Sequence, residues 1–197
     1  MTTKSRNPSL KFQPATPSRW LDLETLFGER GACGGCWCMF WRLPRKQWEA
    51  QRGPGNKAAL RKLVNASRAA PGILAYVGKE PVGWCAIAPR EQYVGPERSR
   101  ILEPVDDKPV WSISCLFVKR GYRRQGISKE LARASVAFAG KHGARIVEAY
   151  PVEPTMEKMP DPFLWHGVPS AFKAAGFKEV TRRSKSRPIM RFEIADL

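Results

Sequence analysis

Apolar positions along this chain change their spacing twice, and those changes mark out its elements. Leu23, Leu26 and Phe27 fall three and four residues apart behind Ser18, a suitable N-cap, so the spacing predicts a helix from residue 18. A short strand over 10–14 is expected to precede it. Leu60, Leu63 and Val64 repeat the helical period behind Asn56. A second helix capped by Asn56 and ending before Pro71-Gly72 is the expectation. From residue 73 the pattern shifts to short continuous apolar runs. Residues 73–77 and 82–89 flank Gly78-Lys79-Glu80-Pro81, a hairpin signature. The stretch 91–108 is polar and reads as a loop, while 110–118 is a further strand. Helical spacing then returns over 128–141, with Leu131, Ala134, Ser135 and Phe138 on one face. A strand over 145–150 follows through His142-Gly143. Five prolines between 151 and 169 predict irregular chain, before a short helix over 170–175. Runs at 177–181 and 189–194 read as closing strands around a basic turn.

This order describes an α/β chain of mixed α+β type, with helices on the faces of one sheet. It lacks the Gly-x-Gly-x-x-Gly turn of a Rossmann domain and the Gly-Lys-Ser/Thr ending of a P-loop. A length of 197 residues suits a single domain, 1–197, with an N-terminal part over about 10–72 and a core over about 73–194.

The junction between the strand at 110–118 and the helix at 128 carries the most specific chemistry. Val118-Lys119-Arg120-Gly121-Tyr122-Arg123-Arg124-Gln125-Gly126-Ile127-Ser128 joins an apolar strand to a helix start through a basic, glycine-containing turn. Such a turn aims unpaired amides and the positive end of the helix dipole at one point. Arg123 and Arg124 add charge for phosphate oxygens, and Gly126 lets a ligand approach the backbone. The junction reads as an anion site.

Composition narrows the setting. At 43% hydrophobic, with seven Trp and nine Phe, the chain can bury a large core, which excludes general disorder. No apolar run reaches membrane-spanning length and the first residues carry no signal region, so a cytoplasmic protein without membrane association is expected. Five unevenly spaced cysteines do not form a secreted disulfide framework. The formal charge of +16 raises the question of nucleic acid. The basic residues are dispersed, however, with modest clusters at 119–124 and 182–187, and no recognition motif accompanies them. Nucleic acid is therefore not the expected ligand.

Leu116-Phe117-Val118 followed by Arg123-Arg124-Gln125-Gly126-Ile127-Ser128 resembles the acetyl-CoA signature of the GNAT N-acetyltransferases, Arg/Gln-x-x-Gly-x-Gly/Ala, with Ser128 in the final small position. The stretch from Ala171 through Gly176-Phe177 to Val180 is similar to that family's late helix-to-strand turn. Cys36-Trp37-Cys38-Met39-Phe40-Trp41-Arg42, Gly83-Trp84-Cys85 and Glu148-Ala149-Tyr150-Pro151 resemble a bacterial subgroup of it. The resemblance implies an acyl-CoA N-acyltransferase-like fold. Its sheet would be mostly antiparallel and twisted, of six to seven strands, with a splayed central pair and flanking helices. It implies acetyl-CoA as co-substrate and no metal. The pyrophosphate would lie on the amides from Arg124 to Ser128, and pantetheine would pair with the backbone of Leu116, Phe117 and Val118. The partner would be a small-molecule or peptide amine, and a homodimer is compatible with the family. Where the family commonly has a Tyr to protonate the departing thiolate, this chain has Phe172.

Direct acetyl transfer needs a neutral amine, a polarised carbonyl and a stabilised thiolate, and gains chiefly from positioning. Val118 N–H is a candidate polarising donor. Glu148 is a candidate base, with a structural ion pair as the alternative. Tyr150 is a candidate acid, with a buried, satisfied hydroxyl as the alternative. Cys33-x-x-Cys36-x-Cys38 invites a metal reading, but no second Cys-x-x-Cys pair accompanies it and Cys85, Cys115, His142 and His166 are scattered. Buried thiols among aromatic residues fit better. The expected function is N-acetyl transfer from acetyl-CoA to a primary amine in a ternary complex. The alternatives are a CoA-binding regulatory or partner-binding module without turnover, and, from the charge alone, a nucleic-acid-binding domain.

Overall fold

Seven strands form one sheet in the computed structural model, which describes residues 9–154 and 164–195. They are β1 (Leu10–Pro14), β2 (Gly72–Val77), β3 (Glu80–Pro89), β4 (Trp111–Val118), β5 (Ile146–Ala149), β6 (Lys178–Arg182) and β7 (Pro188–Glu193). Their spatial order is β1-β2-β3-β4-β5-β7-β6, and β4 with β5 is the parallel pair in an otherwise antiparallel sheet. The crossover between them is the helix α5 (Ile127–Lys141). Gly83 makes room for it, since a Cβ there would meet Leu131 Cδ1 at 2.9 Å.

Helices cover both faces of the sheet. On one face Leu131, Ala132 and Val136 of α5, with Phe172 and Ala175 of α6 (Pro169–Ala175), pack on Ile73, Cys85, Ile113 and Val147. On the other, Trp20, Leu23 and Phe27 of α1 (Trp20–Phe27) and Leu60 and Val64 of α3 (Pro54–Ala66) pack on Leu74, Trp84 and Cys115. Burial on two faces is why β2 and β3 read as continuous apolar runs rather than alternating ones.

The expected elements recur with four local differences. Ser18 lies inside a 3₁₀ turn, Pro17–Arg19, and α1 starts at Trp20 without a side-chain cap. Asn56 does not cap α3. Gly53, at φ +82°, holds the N-cap position, and Asn56 is fully buried in the first turn, donating to Gly35 O at 3.1 Å and Trp48 O at 3.3 Å. A six-residue helix, α2 (Arg45–Ala50), precedes α3, and the polar stretch 91–108 contains the one-turn α4 (Val94–Glu97) between two 3₁₀ turns. Pro160 and Pro162, two of the prolines from which irregular chain was expected, fall outside the described residues.

Candidate active site

β4 and β5 pair from Trp111↔Val147 to Ile113↔Ala149 and then part. Lys119 N–H donates to Val82 O, so alternation along β4 turns the backbone of Phe117 toward β3 and that of Leu116 and Val118 toward the gap. Phe117 therefore offers no backbone group to the gap, and its ring packs edge-on to Phe27 of α1 at 5.7 Å. Part of the opening is bridged from within the chain. Leu116 N–H donates to Trp165 O at 2.7 Å, and Val152 N–H to Gly167 O at 2.9 Å. Gly167 sits close enough to β4 that a Cβ would meet Leu116 Cδ1 at 2.9 Å, and its φ of +78° suits glycine.

At the end of β4 the chain turns through Arg120–Tyr122 into α5. Arg123 Nε donates to Val118 O at 2.9 Å and Gln125 Nε2 to Gly121 O at 3.1 Å, which fixes the turn from both sides. Gly126 is the N-cap of α5 in the left-handed region, and no side chain caps the helix. The first amides of α5 are thus without intrahelical partners, and Gly126, Ile127, Ser128 and Lys129 line an open cavity.

Three cavities adjoin this junction in series. The first, of about 360 Å³, is lined by Val118, Arg123, Arg124, Gly126, Ile127, Ser128 and Lys129, with Ala171 and Ala174 of α6 opposite. The second, of about 570 Å³, shares Val118, Arg123 and Ser128 with it and adds Leu116, Phe117, Leu164 and Trp165. The third, of about 290 Å³, shares Ala32, Cys33, Leu116, Phe117 and Trp165 with the second and ends among Cys36, Cys38, Phe40 and Trp48. None of the described residues lining the three is Asp or Glu. The non-glycine residues with positive φ among the described ones are Ala32, Trp37, Cys38 and Arg124. Three of them line these cavities, and backbone strain of this kind, about 1–3 kcal/mol each, gathers where a site over-determines its shape.

The cysteines of this region are thiols. Cys38 Sγ lies 3.3 Å from Cys115 Sγ, and burial pushes Cys36 up to about 11 and Cys85 up to about 12, so both stay protonated. Among the described residues no three His, Cys, Asp or Glu gather as metal ligands would.

Glu148 and Tyr150 occupy a different setting from the one expected of a base and an acid. Neither lines the three cavities, and Glu148 is 1% exposed. Its carboxylate accepts from Arg191 Nε at 2.7 Å and Tyr150 Oη at 2.6 Å, with Arg90 at 3.6 Å. Tyr150 Oη also accepts from Arg90 at 2.8 Å and shares a 2.8 Å hydrogen bond with Ser112 of β4. Burial, then the adjacent Glu148 charge, pushes the phenol far above its ordinary value. Arg191 continues the network to Asp106 through two bonds. The network ties β4, β5 and β7 together next to the last β4–β5 pair. His166 is 2% exposed and neutral, because burial lowers its pKa well below the usual value. Phe172 is fully buried against Phe177.

Sequence reasoning took Asn56 for a helix cap and missed that it pins the loop behind the third cavity, and it missed the bridging role of residues 164–167. The close-packed Gly167 is the one signal for the latter.

The model of the Acetyltransferase (GNAT) family matches residues 37–158. The chain belongs to the GNAT acetyltransferase family. Among solved structures, a GNAT-family acetyltransferase from Listeria monocytogenes superposes with a TM-score of 0.56 at 10% identity, covering 94% of this chain and 95% of that one. The Thermoplasma acidophilum PaiA N-acetyltransferase, solved with coenzyme A, gives 0.52 at 14% identity over 94% and 99%. Arabidopsis thaliana NAA60, solved with acetyl-CoA, gives 0.50 at 17% over 94% and 100%. At such identities the likeness establishes the fold, which is the mostly antiparallel, seven-stranded GNAT sheet. No curated protein sequence is significantly similar to the chain. Among the described residues no helix of this GNAT protein is long and apolar enough to cross a membrane.

Proposed function

We propose that this GNAT protein transfers the acetyl group of acetyl-CoA to a primary amine by direct attack in a ternary complex. The observation that carries the proposal is the series of cavities, running from the uncapped start of α5 through the β4–β5 fork to the pocket beside Cys36. In this reading Arg123, Arg124, Gln125, Gly126, Ile127 and Ser128 form the cradle for the CoA pyrophosphate. The amides of α5 and the two guanidinium groups meet its charge. Pantetheine lies along Leu116, Phe117 and Val118 in the second cavity. The Trp165 carbonyl, already bonded to Leu116 N–H, forms the floor of that slot. Val118 N–H is turned the same way and polarises the thioester carbonyl.

We assign Glu148 and Tyr150 a positioning part. A carboxylate held by two guanidinium groups and a phenol has its lone pairs engaged, and a phenol with a strongly raised pKa keeps its proton. Together with Ser112 they hold β4 and β5 at the point from which the strands part. With Phe172 buried and apolar, the thiolate leaves as an anion and is protonated from solvent.

Release of thiol from acetyl-CoA, measured with a panel of amines and with Gly126→Glu, tests the assignment. Amine-dependent release that the variant abolishes supports it. CoA binding with no release above background by any amine would favour a non-catalytic CoA-binding module.

A further inference from the structure

The third cavity has a composition that selects among amines. Its walls combine four aromatic rings, Phe40, Trp48, Phe117 and Trp165, with the sulfurs of Cys33, Cys36, Cys38 and Cys115. Phe40 stands edge-on to Trp48 at 5.0 Å and to Trp165 at 5.6 Å, which holds the aromatic wall in one shape. Behind it Asn56 ties Gly35 to Trp48. Polarizable sulfur facing aromatic edges suits an aromatic ring or a thioether. Among the described residues the one charged group on the lining is Arg52, which is exposed. Its guanidinium lies over Trp48, 4.7 Å from the ring centroid, and among the described residues no carboxylate pairs with it. A volume of about 290 Å³ is at the lower end for a small-molecule site, enough for one compact ligand and not for an extended chain.

Cationic acceptors fit this cavity poorly. A polyamine or a lysine side chain brings charges that need carboxylates, and the described residues of the lining include none, while Arg52, Arg30 and Arg120 line this cavity and the adjoining one. A molecule with an apolar body, a single amine and one carboxylate meets every group present. Its body fills the aromatic and sulfur-lined space. Its carboxylate pairs with Arg52, whose fork suits bidentate binding. Its amine is left toward Ala32, Cys33 and Leu116, where the third cavity opens into the second.

Resting on the acetyltransferase reading above, we propose that the acceptor is a small amino acid with an aromatic or thioether side chain, its carboxylate held by Arg52. In the reaction the amine nitrogen bonds to the thioester carbonyl carbon and the carbon–sulfur bond breaks. The nitrogen gives up one proton to solvent, and the departing thiolate takes one from solvent, so the sum is an N-acetyl amino acid and CoA.

The test compares L-phenylalanine, L-methionine, phenethylamine and spermidine as acceptors, in wild type and in Arg52→Ala. Arg52 is exposed, so its loss leaves the fold intact. The expectation is that both amino acids are preferred in wild type. Arg52→Ala should lower kcat/KM for L-phenylalanine by about 10- to 100-fold, as loss of a charge-assisted pair does, and leave phenethylamine unchanged. Trp48 and Trp165 supply a readout free of turnover, since L-phenylalanine should alter their fluorescence in wild type and fail to do so at the same concentration in the variant. A fluorescence response that Arg52→Ala removes upholds the site even without turnover. A preference for spermidine or phenethylamine, equal use of L-phenylalanine by both proteins, or neither response nor turnover with the amino acids overturns it. Failure of CoA itself to bind would instead sink the acetyltransferase reading, and calorimetry with CoA separates the two.

Discussion

Replacing Glu148 with Gln separates a positioning carboxylate from a catalytic base. Glu148 is 1% exposed, and its partners Arg191 and Arg90 have side chains only 7% and 9% exposed. The substitution keeps the shape and removes the charge, leaving two nearly buried guanidinium groups short of one counter-ion. Breaking a buried pair in this way costs about 3–5 kcal/mol. The lower end applies here, because Arg191 keeps Asp106, which contacts it through both oxygens at 2.6 and 2.9 Å. In a chain of this size about 3 kcal/mol lowers Tm by roughly 6–12 °C. Differential scanning calorimetry measures that shift, and the pH profile of acetyl transfer at a temperature well below the new Tm measures the rest. The positioning account expects a large loss of Tm with the shape of the pH profile retained. An unchanged Tm together with a lost acidic limb of kcat/KM would refute it and make Glu148 the base.

Other consequences follow from the same geometry. Asn56→Ala removes the donors to Gly35 O and Trp48 O at a fully buried position, so it should cost about 1–3 kcal/mol in denaturant unfolding and raise KM for the acceptor more than for acetyl-CoA. Arg191, through its hydrogen bonds, holds Asp106 down to about 2. That depressed value stabilises the fold above the unfolded pKa of about 3.9, and the contribution disappears as pH falls toward 2. Asp106→Asn should therefore flatten the acid limb of stability between about pH 4 and 2, read by thermal melts across pH. His166 has its pKa lowered by burial, so the unfolded chain binds the extra proton and stability should decline as pH drops below about 6.5. His166→Phe should weaken that decline. Because no carboxylate is among the described residues lining the cavities, kcat/KM should rise about tenfold per pH unit below the pKa of the acceptor amine. A plateau set by a protein group near neutrality would contradict this.

Much of the fold was legible because both faces of the sheet are covered. Double burial writes β2 and β3 as unbroken apolar runs, and the same burial gives α5 its single apolar stripe. The strand–turn–helix junction at 118–128 was legible for a local reason, since strand, basic turn, glycine and helix are contiguous in the chain. Contacts between distant segments were not. Asn56 looks like a helix cap in sequence, and only the proximity of Gly35 and Trp48 turns it into a buried tie. The Trp165 carbonyl on Leu116 is a backbone contact, which side-chain identity does not encode. Glu148 illustrates a third case. Its position on the strand beside the fork was read correctly, while its ionic partners come from residues 90 and 191, far away along the chain.

The central claim is that the junction from Val118 to Ser128 holds CoA, and isothermal titration of acetyl-CoA tests it most directly. The account predicts saturable one-to-one binding by the wild-type protein. It also predicts loss of that binding in Gly126→Glu, which puts bulk and negative charge at a residue lining the first cavity while the melting profile stays cooperative. Absence of binding by the wild type, or equal affinity in Gly126→Glu, would contradict it.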